Sequence, residues 1–210
     1  MCPVDTHDLC FYILHVPPEP NTAAALAVEA FLDAIGISVD ANPELKTTGR
    51  DVANAYQKEL LAGYQMDPAA ILKEFTSSAS KAMVTLRDIA IFPVCPHHLL
   101  PSVGIAHLAY VPTKKVVGFG ALGKLVQCFA RRLVLQEDLV EQIAYALVTH
   151  LGASFAACTV DVVPLCIAAR GLRAERSSAI STAYAGERAS DPGLREEYFR
   201  TLSVASHRRG

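Results

Sequence analysis

The hydrophobic period of the chain changes at Lys81, and this change constrains the fold more than any other feature. Beyond it, Met83 to Phe92 and Val103 to Val111 read as strands, with Pro93, Pro96, Pro101 and Pro112 punctuating their ends. Two helical segments follow. In the first, Leu122, Leu125, Val126 and Phe129 form one apolar face; in the second, Leu139, Ile143 and Leu147 do. Phe155 to Val163 is again strand-like, and Ile180 to Tyr184 is a weaker fourth strand. The order β-β-α-α-β-β predicts an α+β fold, an antiparallel sheet with helices on one face.

The part before Lys81 reads differently. Residues 1–20 carry Pro3, Pro17, Pro18 and Pro20 and are expected to form an extended arm. Residues 21–78 form a helical region. A first helix starts behind Asn21 and stops before Gly36, and a second runs from about Gly49 to Leu61, with Gly63 closing it. Asp67-Pro68 opens a short third helix expected to reach Phe75. Residues 79–210 then form the last unit, which carries the β-β-α-α-β-β pattern.

Composition excludes several classes of function. The formal net charge is −2, and the only basic cluster is His207-Arg208-Arg209 at the C-terminus, so nucleic acid is not an expected partner. No apolar run nears the roughly 18 residues that span a bilayer, and the N-terminal stretch lacks the basic region of a signal peptide. A cytoplasmic location follows, and in that reducing setting six cysteines argue for thiols rather than a disulfide framework. Cys2 and Cys10 fall in the arm, while Cys128 and Cys158 sit in apolar periodic segments and read as core residues.

Cys95 and Cys166 stand apart, because each lies in a turn-like stretch. Cys95 and His98 have C-x-x-H spacing, which lets one tight turn present a thiolate and an imidazole to one ion. Cys166, past the third strand, can add a third ligand. Three protein ligands leave a tetrahedral Zn²⁺ with an open position, the arrangement of catalytic sites. His97 neighbours a ligand and is a candidate general acid/base.

These residues resemble a known family. CPHHLLPSVGIAHLAYVPTKKVVGFG looks like the GTP cyclohydrolase I signature, in which a Cys-Glu-His-His turn precedes a strand ending in Tyr-x-Pro. FARRLVLQEDLVEQIAYAL resembles its central helices, PLCIAARG its last zinc-ligand turn, and LKTTGRDVANAYQKELLAGYQMDP its N-terminal helix region. The resemblance runs from about Leu45 to Leu202 and implies a tunnelling fold (T-fold) assembled into a homo-oligomeric ring, expected to be a decamer, with active sites between subunits. It implies Zn²⁺ held by Cys95, His98 and Cys166, with His97 in proton transfer. Glu137 and Gln136 would hold the amidine edge of a guanine whose imidazole ring is opened by water. Lys124 and Arg170 would contribute to anion binding.

The departures from the family pattern concentrate at the chemistry. Pro164 stands where the family has a second catalytic His, and Pro96 stands where it has Glu. The phosphate-contacting Ser-Lys pair is Gly120-Ala121, the Arg one turn later is Lys124, and the Arg and Lys of the N-terminal helix are Asp51 and Asn54. The reading that follows is a zinc hydrolase that opens a C–N bond in a guanine-like or other small heterocycle lacking a triphosphate. True GTP cyclohydrolase I activity and a non-catalytic purine- or pterin-binding ring remain open beside it.

Overall fold

The computed structural model describes residues 22–170 and 177–203; the arm expected over 1–20 lies outside them. Four long strands form one antiparallel sheet: β2 (Val84–Ile91), β3 (Ser102–Val111), β5 (Phe155–Pro164) and β6 (Ala179–Ala185), in the order β2-β3-β5-β6. Between β3 and β5 the chain passes through α4 (Phe119–Ala130) and α5 (Gln136–Leu151). This is the expected β-β-α-α-β-β unit, the topology of the tunnelling fold.

Strand alternation assigns the two faces. Ala106, Leu108 and Tyr110 of β3, with Ala156, Cys158 and Val160 of β5, pack beneath the α4 and α5 stripes of Leu122, Leu125, Phe129, Leu139, Ile143 and Leu147. Cys128 and Cys158 are fully buried, as core thiols should be. Gly152 ends α5 in the left-handed conformation at φ 66°, and its N–H bonds to Val148 O.

The opposite face carries a smaller cluster. Val111, Phe155 and Ala157 meet Leu194 and Tyr198 of α7 (Pro192–Ser203), a helix the sequence reading did not include. The buried Tyr198 hydroxyl lies 2.9 Å from Thr159 Oγ1 and 3.2 Å from the His107 carbonyl, which satisfies the polar atoms of that face.

The helical region differs from expectation in two places. The first helix, α1 (Thr22–Ala34), is as read, but α2 (Thr48–Asn54) widens into a π-type turn over Ala55–Leu60, with Leu61 N–H reaching back to Tyr56 O. The third helix, α3 (Pro68–Ile71), stops before Phe75, which instead opens β1 (Phe75–Ser77). That strand pairs antiparallel with β4 (Lys115–Val117), and Lys115 Nζ sits 4.4 Å from the Phe75 ring centroid. The pairing ties residues 75–77 to the segment leading into α4.

Gly104 marks the tightest crossing of the central strands. A Cβ there would run into Asp161 O and lie 2.6 Å from Val162 Cα, both backbone atoms that cannot swing aside. Gly104→Ala is expected to lower unfolding free energy by about 1–3 kcal/mol. An unchanged urea midpoint would contradict this account of the β3–β5 pairing.

Candidate metal centre

The turn after β2 is built by backbone bonds. Cys95 N–H donates to Leu100 O and Leu99 N–H to Cys95 O, both at 2.9 Å, while Val94 bridges Pro101. Closing so tight a loop puts Leu99 in the left-handed region at φ 55°, costly for a residue with a branched side chain. The Tyr56 hydroxyl donates to Leu99 O and secures that residue from the π-type turn. This polar role of Tyr56 depends on a partner 43 residues away, which no local pattern in the chain reveals.

Cys166 arrives from the other end of the site. Ser102 of β3 faces Pro164 of β5, so the start of β3 and the end of β5 lie side by side. Cys166 sits just beyond, on the short helix α6 (Leu165–Ala168). The candidate ligand atoms of Cys95, His98 and Cys166 all fall within 4.8 Å of one another, with both cysteines half-buried and His98 exposed. This is the only such Cys/His/carboxylate cluster among the described residues. Two sulfurs and an imidazole form a donor set that suits Zn²⁺.

Local electrostatics fit a site that wants a cation. Burial pushes the Cys166 thiol up, and the neighbouring Cys95 adds to the effect, with Arg170 opposing it. Two thiols this close do not share negative charge readily without a metal between them. His98 Nδ1 lies 3.7 Å from Cys95 Sγ, while Arg170 Nη1 is 2.8 Å from His98 Nε2. A guanidinium only donates, so in this arrangement Nε2 accepts and Nδ1 carries the proton. Were His98 to ligate a metal through Nδ1, its hydrogen would sit on Nε2 and Arg170 would be free for another acceptor. His97 is exposed, with Nδ1 3.9 Å from Cys95 Sγ and its ring centroid 6.3 Å from that of His98.

The other expected site residues are spread more widely. Arg170 alone among the expected substrate-binding residues touches the cluster. The Gln136 amide donates to Val160 O at 3.2 Å and Ala179 O at 2.7 Å, fastening the start of α5 to β5 and β6. Glu137, next to it, is exposed. Lys124 lines a separate cleft of about 580 Å³ with Gly118, Gly120, Ala121, Asp67 and Glu74. Within one chain, then, Lys124 and the cysteines line different surfaces.

An antiparallel β-β-α-α-β-β unit with a Cys-His-Cys cluster at one end of its sheet defines a tunnelling-fold protein with a metal-type centre. The sequence profile described as GTP cyclohydrolase I matches residues 24–203. The chain is 37% identical over 177 residues to GTP cyclohydrolase 1 of Ralstonia nicotianae, covering 84% of each chain. It is 38% identical to the Campylobacter lari protein of that name over 180 residues, 85% of this chain and 94% of the relative. The Corynebacterium glutamicum protein of that name is 38% identical over 178 residues, 84% of this chain and 90% of the relative. The chain belongs to the GTP cyclohydrolase I family. Among the described residues, no helix is long and apolar enough to cross a membrane.

Proposed function

We propose that the protein hydrolytically opens the imidazole ring of a guanine-type heterocycle at a Zn²⁺ held by Cys95, His98 and Cys166. The observation that carries this is the convergence of those three side chains within 4.8 Å in a chain of this family. Bound there, the metal would supply Lewis-acid activation of water. His97 moves the proton between water and the ring nitrogen released on C–N cleavage. Glu137, at the solvent-facing start of α5, accepts two N–H bonds from the guanine amidine edge. Gln136 acts as a positioning residue, since its amide is spent on the strands. Arg170 turns from His98 to an anionic or carbonyl oxygen of the substrate. The reading carries with it a cytoplasmic homo-oligomer, a decamer in the fullest form, in which the Lys124 cleft of one chain faces the metal cluster of the next.

Relatives named GTP cyclohydrolase 1 at 37–38% identity favour GTP as the substrate, a reading the sequence analysis held second. Among the described residues, Lys124 is the only basic one lining its cleft. With GTP, Lys124→Ala is therefore expected to raise KM about 10- to 100-fold with a smaller change in kcat, the loss of one charge-assisted contact of about 1.5–3 kcal/mol. One observation favours the unphosphorylated heterocycle instead: Asp67 and Glu74 line the same cleft, while Gly120 and Ala121 offer no side-chain donor. Steady-state comparison of GTP, GMP and guanosine on zinc-loaded protein decides between them. Guanosine turnover equal to that of GTP, with no effect of Lys124→Ala, would remove the triphosphate.

A further inference from the structure

A second cavity, of about 240 Å³, lies where Met66 and Asp67 meet Tyr64, Pro68, Arg132 and His150. It shares Met66 and Asp67 with the Lys124 cleft but contains neither Lys124 nor any residue of the metal cluster. Its interest lies in two nitrogen-bearing side chains left incompletely served.

Arg132 is only 7% exposed, and no carboxylate of a described residue pairs with it. Its Nε donates to Cys128 O at 2.7 Å and Gly63 O at 3.1 Å, and Nη2 reaches Met66 O and Cys128 Sγ. The Phe129 and Tyr64 ring centroids lie 5.0 and 5.7 Å from its Cζ. Neutral carbonyls and ring faces hold the guanidinium in place; among the described residues it makes no ion pair, although the Asp67 carboxylate lines the same cavity, and no hydrogen bond of Nη1 is found. Buried charges are ordinarily paired. His150, in the last turn of α5, has an enclosed Nε2 with no hydrogen-bond partner. Burial pushes this imidazole down and Asp67 opposes it, which favours a neutral ring with one donor and one acceptor nitrogen.

Tyr64, Met66 and Pro68 supply apolar wall, so the cavity pairs a desolvated cation with a hydrocarbon surface. Its volume equals roughly eight liquid waters at ~30 Å³ each, the scale of one small organic molecule. Asp67 is exposed and sets a negative charge at the lining, which opposes a dianion such as a phosphate monoester more than a single charge. We propose that this cavity binds a small organic monocarboxylate, its carboxylate on the Arg132 guanidinium and its apolar body against Tyr64, Met66 and Pro68, with the His150 ring turning to bring its enclosed Nε2 to the ligand.

The probe is sodium benzoate on the full-length protein, compared with the neutral isostere benzamide at matched salt. The chain has three methionines, so ¹³C-methyl methionine spectra report on Met66 directly, with Met83 as an internal control. Benzoate is expected to shift the Met66 methyl saturably and leave Met83 in place, with benzamide at least tenfold weaker. His150→Phe, which keeps a ring but removes the nitrogens, is expected to weaken benzoate at least tenfold. An unmoved Met66 methyl at millimolar benzoate would overturn the site in the unmutated protein, whatever the variant does. Equal affinity for benzamide, or undiminished binding in a folded His150→Phe protein, would overturn the carboxylate recognition.

Discussion

Cys166→Ala is expected to yield a folded protein that no longer carries stoichiometric zinc and whose ring-opening turnover has fallen at least about 10³-fold. The fold should survive because Cys166 is half-buried on the four-residue α6, outside both apolar clusters. The metal should not, because the cluster has three ligands and two cannot hold Zn²⁺ in competition with solvent. Losing activation of water and polarisation of the ring by the metal forfeits several kcal/mol of transition-state stabilisation; about 4 kcal/mol alone is three decades of rate. Acidification should act in the same direction on the unmutated protein. Burial and Cys95 make the Cys166 thiol hold its proton more tightly than an isolated one, so zinc displaces that proton less readily as pH falls. Elemental analysis beside circular dichroism checks both halves. One zinc per chain in Cys166→Ala would show that the metal is held elsewhere.

The strands and the two long helices were legible because their signals are local. Period-two alternation and flanking prolines mark β2, β3 and β5, and wide apolar stripes mark α4 and α5. The helix α7 left no such mark: it is rich in charge, and only Leu194 and Tyr198 are buried along its length. Strands of three residues, β1 and β4, are too short to show a period. The π-type turn was hidden because Val52, Tyr56 and Leu60 fit an unbroken α-helix equally well.

In the candidate site, the C-x-x-H turn and the distant Cys were legible as ligand chemistry at sensible spacing. What was not legible depends on tertiary contact. Arg170 meets His98 across 72 residues, and Gln136 bonds to carbonyls 24 and 43 residues on. The family resemblance implies that Gln136 belongs near the site, but only the folded strands show that its amide is already engaged. The same holds for Tyr56, whose hydroxyl steadies the strained residue of the metal turn.

His97→Ala is expected to cost about 10²–10⁴ in the rate of ring opening while leaving the zinc content unchanged. Pro164, at the end of β5, brings no proton-carrying group to the side from which Cys166 enters. A guanidinium such as that of Arg170 donates hydrogen bonds and has no lone pair with which to accept a proton. Among the described residues beside the cluster, that leaves His97, exposed and with Nδ1 3.9 Å from Cys95 Sγ, close enough to serve the same reacting atoms without being needed as a ligand. Ring opening requires one proton taken from water and one given to the departing nitrogen, which a single imidazole can do in turn. Later rearrangement of the sugar requires further transfers at other atoms, so the expected product is the opened ring, identified by mass spectrometry in a single-turnover reaction. Full-rate opening by His97→Ala with zinc in place would show that the proton travels by another residue. Rearranged dihydropterin from the unmutated protein would show that acid/base groups outside this cluster complete the reaction.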